Sequence, residues 1–409
     1  MMGTGAFCGL RSSAVAVLAC LLAGCGGGGG GSSSSSTPPP VLGNVQAMVV
    51  DAGPSSNDAN VGFISVTICT PGTSNCQTID HIDVDTGSSG LRIISSALSP
   101  SLSLTQQNDA SGRPIVECLP FADGYVWGPV KIADLSIAGE QAMSLPIQVI
   151  GDPSYPNVPG DCSSSGGPNE GTVAAFGANG IIGIGNLQAD CGTYCAGQPV
   201  PGAYYVCPAS GCINVAVANS LQVQNPVGLF SVDNNGVLIQ MASLPANGAA
   251  TASGSLIFGI GTQTNNALGN ATILNVDPTY LTLTATIGGV TYPDSYLDSG
   301  SSALFLPQNF ATACTSQEFS GYFCPPTTLN FSAIMQGANG TSAAAGFSVA
   351  NAETLFNAEP SFTAFNNIGA INSDSTSIDL GMPFFYGRSV FTAIEGKQTP
   401  GGTGPFVAF

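Results

Sequence analysis

The segment Asp85-Thr86-Gly87-Ser88-Ser89 returns about half a chain later as Asp298-Ser299-Gly300-Ser301-Ser302. The match extends outward. Val84 and Leu297 precede the acids, and Leu91 with Ile93 corresponds to Leu304 with Leu306. An apolar pair and a Gly follow well downstream of each copy. They are Ile181-Ile182-Gly183 and, with an acid in first place, Asp379-Leu380-Gly381. A chain of 409 residues also exceeds one ordinary core, so two lobes are expected. Duplicated lobes sharing one interface explain both observations.

The repeated residues suit one chemistry. An Asp ending an apolar strand and entering a Gly turn is held against a buried seam. Gly permits the tight turn and a close backbone approach. Two such loops, one per lobe, bring two carboxylates together, where both cannot ionise cheaply and one proton is shared. The ionised member then activates a water, and the protonated member polarises a carbonyl. One copy alone reads equally as a polar turn after a strand; the two copies in context do not.

From Leu42 onward, short alternating or apolar runs are punctuated by Gly, Pro, Asn and Ser. Phe63–Ile68, Val130–Ile137, Gly228–Val232, Ser255–Ile260, Leu281–Ile287 and Val390–Ile394 read as strands of an all-β protein. Helical spacing is scarce. Asn214–Val223 is the better candidate and Ala350–Phe356 the weaker. His81 is the only His, so no Ser-His-Asp or Cys-His arrangement exists without it. It lies on a strand beside Asp83 and reads as part of a polar strand face. One His beside oxidised Cys argues against zinc, and no cofactor is expected. Gly183-Ile184-Gly185 and Gly259-Ile260-Gly261 read as strand ends, since no clear βαβ unit follows them.

The chain holds 24 acidic against 6 basic residues, a net charge of −18. Phosphate backbones would repel it, so nucleic acid is excluded as a partner. Residues 1–24 read as a signal peptide with an apolar run Ala14–Leu22. Leu22-Ala23-Gly24-Cys25 resembles a bacterial lipobox, with Cys25 acylated (palmitate among the chains) and anchoring the protein in the membrane. Residues 25–41 form a Gly/Ser/Pro linker that cannot build a core. Gly26 after the Cys points to the outer membrane of a bacterial envelope. Ten Cys remain beyond residue 25, an even number consistent with disulfides in an exported chain. Cys69–Cys76 and Cys314–Cys324 are candidate local pairs; the other six stay open.

Over nearly all of residues 42–409 the chain resembles the pepsin family of aspartic peptidases. The carriers are the two Asp segments, Asn179-Gly180-Ile181-Ile182-Gly183-Ile184-Gly185, Gly254-Ser255-Leu256-Ile257-Phe258-Gly259 and Ser377-Ile378-Asp379-Leu380-Gly381-Met382-Pro383-Phe384-Phe385. The resemblance implies a two-lobed all-β fold with few short helices and a cleft between lobes 42–228 and 229–409. It implies catalysis by Asp85 and Asp298, with Thr86, Gly87, Ser88, Ser299, Gly300 and Ser301 in support. A flap is implied at Phe121, Asp123, Gly124 and Tyr125, with Phe121 where the family usually has Tyr and Arg92 where it usually has Trp. A monomeric endopeptidase acting on peptide or protein substrates is the expectation. The alternative is a catalytically silent cell-surface binding protein on the same scaffold.

Overall fold

The computed structural model describes residues 43–164, 167–208 and 210–409. The expected signal peptide 1–24, Cys25 and the expected 25–41 linker lie outside the described residues. The chain is all-β, with short strands as its main elements. Its longest described helix, Ala352–Ala358, has 7 residues. Among the described residues no helix is long and apolar enough to cross a membrane.

Two large sheets account for most strands. In the larger, Val45–Val50 lies between Gly62–Cys69 and Ala252–Phe258, so an early strand joins partners from both halves of the sequence. The smaller sheet holds Leu283–Ile287, Val290–Leu297, Leu304–Pro307, Leu329–Gln336, Ser342–Val349, Gly369–Asn372 and Asp379–Leu380. Alternation explains the local choices. In Leu329–Gln336, Ala333 and Met335 are buried while Ser332, Ile334 and Gln336 face out, the period of two that a half-buried strand requires. A main apolar cluster reaches from Met48 and Ile68 to Leu380 and Val407.

The sequence repeat is also a repeat of pairing. The strand Cys76–Asp85 runs parallel to Gly180–Ile184, and Ser89–Ile94 runs antiparallel to the same strand. In the second half Val290–Leu297 runs parallel to Asp379–Leu380, with Leu304–Pro307 antiparallel to it. Registers match residue by residue. Val84 and Leu91 flank Ile182, as Leu297 and Leu304 flank Leu380. The apolar pair downstream of each Asp is therefore the strand that clamps its loop from beneath.

Two expected elements differ. Asn214–Val223 is not a helix. Val215 and Val217 donate to the carbonyls of Tyr204 and Cys195, an extended course that suits their β-branched side chains. Only Asn219–Leu221 turns as a 3₁₀ helix. Gly228–Val232 is not a strand, because Asn225 caps Val227 and Pro226 starts a 3₁₀ turn through Leu229. Ala352–Ala358 confirms the weaker helical candidate, displaced by two residues and capped by Asn351 onto the Thr354 N–H.

Among the described residues five disulfides are present. Cys69–Cys76 and Cys314–Cys324 form as expected, and the open six pair as Cys118–Cys162, Cys191–Cys195 and Cys207–Cys212. Cys118–Cys162 closes the longest loop, a separation of 44. Its removal by paired Cys→Ala is expected to cost about 4 kcal/mol by loop entropy. Removing Cys191–Cys195, with a separation of 4, should cost about 2 kcal/mol. Denaturant melts of the two variants check that order; equal losses would contradict it.

Candidate functional site

Each Asp leaves the end of a clamped strand and enters a Gly turn whose amides fold back on it. Gly87 and Ser88 donate backbone N–H groups to Asp85 Oδ1 at 2.6 and 3.2 Å, and the Ser88 hydroxyl donates to Oδ2. The second loop repeats this. Gly300 N–H donates to Asp298 Oδ1 at 2.8 Å and the Ser301 hydroxyl to Oδ2 at 3.1 Å. The same Gly87 N–H also reaches Asp298 Oδ1 at 3.1 Å, so one amide touches both acids.

The structure brings Asp85 and Asp298 together, each turn's Gly lying against the other loop's carboxyl. Glycine is required by this closeness. A Cβ on Gly87 would stand 2.6 Å from the Asp298 carboxyl carbon, and one on Gly300 2.9 Å from that of Asp85. Asp85 is 5% exposed, whereas Asp298 is half-buried and Gly87 is exposed, so the pair opens to solvent.

Thr86 and Ser299 lock the loops to each other. Ser299 Oγ accepts from Thr86 N–H at 3.1 Å and donates to the Val84 carbonyl at 2.6 Å. Thr86 Oγ1 accepts from Ser299 N–H at 2.9 Å and donates to the Leu297 carbonyl at 3.4 Å. The brace is reciprocal, so neither loop can shift alone. Thr86→Val keeps the shape but orphans the buried Ser299 N–H. A loss of about 1–3 kcal/mol is expected, read from the denaturation midpoint, with Thr86→Ser close to wild type.

The hairpin tip expected as a flap joins Ile115–Pro120 to Tyr125–Ile137, closed by Phe121 N–H to the Gly124 carbonyl at 2.8 Å. Asp123 is exposed, and Gly124 is buried against the Glu170 carboxyl. Phe121 packs edge-on against Phe176 at 5.9 Å. Tyr125 and Trp127 belong to a satellite core with Cys118, Cys162 and Tyr205, and Trp127 Nε1 donates to the Tyr155 carbonyl at 2.9 Å. Arg92 is fully buried. Its guanidinium meets Glu117 at 2.7 Å and Asp190 at 3.1 Å and holds the carbonyls of Ser89 and Gly90 at 2.9 and 3.4 Å. Arg92 thus pins the segment leaving the Asp85 loop, a role that residue spacing did not reveal.

Burial first, then the charges of Asp85 and Asp379, hold the Asp298 carboxyl well above the usual range. Asp83 and Asp379 are raised as well, each chiefly by burial. Burial and then Asp123 lift Glu170 to about 8. A carboxyl raised on folding binds a proton that the unfolded chain releases. Its contribution is fullest in acid and is lost as pH climbs through the raised value. Asp298, Asp83, Asp379 and Glu170 therefore keep their protons to higher pH in the fold than in the unfolded chain. His81 lies apart, 3.4 Å from both Asp51 and Asp80. Among the described residues no group of three His, Cys, Asp or Glu side chains is placed to hold a metal ion.

A family model described as a protein of unknown function, DUF3443, matches residues 40–409. The chain belongs to the DUF3443 family. No curated protein matches it. Both Asp loops and every side chain of the cross-brace fall inside the span that defines this DUF3443 protein.

Sequence reasoning passed over Asp379 and Asp83. Asp379 was visible as the acid that breaks an apolar pair, and Asp83 as an Asp two residues before Asp85. Each stands on the strand level directly below an Asp loop, in register with Tyr296 and Ile181 respectively.

Proposed function

We propose that this DUF3443 protein is a pepsin-like aspartic endopeptidase with two lobes, near 42–228 and 229–409, facing each other across a cleft. The observation that carries the reading is the single Gly87 N–H reaching both Asp85 and Asp298, with Thr86 and Ser299 cross-bracing the loops. Such an arrangement holds two carboxyls at one proton-sharing distance and resists their repulsion. Asp85 and Asp298 share a proton and bind a water between them. The ionised carboxylate takes a proton from that water as its oxygen attacks the peptide carbonyl carbon. The protonated partner donates to the carbonyl oxygen, giving a neutral gem-diol. Proton return to the amine nitrogen breaks the C–N bond, and no covalent enzyme adduct forms.

The raised carboxyls around the pair support an acidic working range, and the five disulfides support an exported protein. Export through the 1–24 signal and anchoring at Cys25 in the outer membrane complete the reading. The test is cleavage of an unfolded polypeptide by the purified protein across roughly pH 3 to 7, with products identified by mass. Acid-dependent internal cuts support the proposal. A folded protein that cuts at no pH in that range overturns it in favour of a silent binding scaffold.

A further inference from the structure

Ser301 carries one hydroxyl proton, and two carboxyls draw on it. Its Oγ donates to Asp298 Oδ2 at 3.1 Å. The same side chain lies within electrostatic reach of the Asp379 carboxyl. Asp379 stands on the short strand Asp379–Leu380, in register with Tyr296 on one side and Phe305 on the other. It is 3% exposed, and its Oδ1 is buried without a hydrogen-bond partner among the described residues. The ionisable groups that face it are Asp85, Asp298 and the Tyr296 phenol, all acids. The matching place in the first half holds Ile181, and the acid at that level there, Asp83, lies on the strand of Asp85 itself.

An ionised Asp379 creates two conflicts. Ser301 can serve only one of two carboxylates, and a buried charge faces two like charges without compensation. A proton on Asp379 removes both. Asp379 then donates to Ser301 Oγ, and the hydroxyl proton of Ser301 stays with Asp298.

We infer that Asp379 is a positioning residue for the acid pair, setting the direction of an Asp379-to-Ser301-to-Asp298 hydrogen-bond chain while it holds a proton. It touches no reacting atom. Burial, and after it the charge of Asp85, holds its carboxyl above the usual range against the opposing pull of Ser301. As pH climbs through that value Asp379 ionises and claims the Ser301 proton. Asp298 loses its brace and gains a like charge beneath it. The alkaline fall of activity belongs to Asp379 as much as to the pair.

The effect on catalysis rests on the peptidase reading; the proton on Asp379 does not. The test is Asp379→Asn, whose amide can donate to Ser301 at every pH. The alkaline limb of kcat/KM is expected to move up by about one pH unit or more. The difference in Tm between Asp379→Asn and wild type is expected to widen in the variant's favour as pH rises from about 4. The sign follows because a raised carboxyl penalises the wild-type fold only once ionised.

Superimposable limbs and a Tm difference that is flat with pH would overturn the inference. If wild type shows no Asp85-dependent cleavage, the peptidase reading fails, and the Tm difference alone decides whether Asp379 holds a proton. Should Asp379→Asn not fold, Ser301→Ala removes the contested hydroxyl. An unmoved alkaline limb in that variant would equally overturn the chain.

Discussion

Asp85→Asn is expected to lower cleavage of an unfolded polypeptide by about 10²- to 10⁴-fold, the range for loss of a positioned acid–base group. With its oxygen in the place of Oδ1 the amide still accepts from the Gly87 and Ser88 N–H groups, and its NH2, in the place of Oδ2, donates to the Ser88 hydroxyl oxygen, so the loop keeps its shape. What it loses is the second carboxyl with which the pair shares its proton and activates the water. Asp298→Asn should cost about as much, because neither carboxyl acts without the other. The double variant should then be little worse than either single one, as groups acting as a unit are not additive. Steady-state rates and thermal melts on the three variants check this. Additive losses, or an unfolded Asp85→Asn, would show that the residues do not form one catalytic unit.

Arg92→Ala is expected to destabilise the fold by about 3–5 kcal/mol near neutral pH, since removing one partner of a buried ion network strands the rest. Here Glu117 and Asp190, both buried beside the guanidinium, would keep only Tyr204 as a common donor, at 3.4 and 2.6 Å. The loss should shrink in acid, because both carboxyls can then be neutralised by protons. A second consequence follows from the Ser89 and Gly90 carbonyls that Arg92 holds. Freed of them, the segment behind Asp85 loosens, and activity should fall further than stability alone explains. Urea denaturation at about pH 4 and 7 separates the two effects. A pH-independent loss would show that lost packing, not stranded charge, dominates.

The candidate site was legible in the sequence where its residues are contiguous. Asp85 to Ser89 and Asp298 to Ser302 each carry an acid, its turn and its supporting hydroxyls within five positions, so local order already implied local geometry. The all-β class was legible because alternation in runs such as Phe63–Ile68 is itself the mark of a half-buried strand. Asn214–Val223 misled because its short apolar spacing suits either a helix or an extended segment, and its partners Tyr204 and Cys195 decide the matter. The Arg92 network joins residues from positions 92, 117, 190 and 204, and no local pattern announces such a set. Asp379 needed the strand register that places it under Asp298 before its acid could mean anything.

The most direct measurement is a structure, obtained in acid, of the protein with a peptide bearing a hydroxyl in place of the scissile carbonyl. The hydroxyl oxygen is predicted to lie between Asp85 and Asp298, within about 2.6–3.2 Å of a carboxyl oxygen of each. A peptide bound elsewhere, or a hydroxyl touching only one of the two acids, would contradict the claim that they form one catalytic pair.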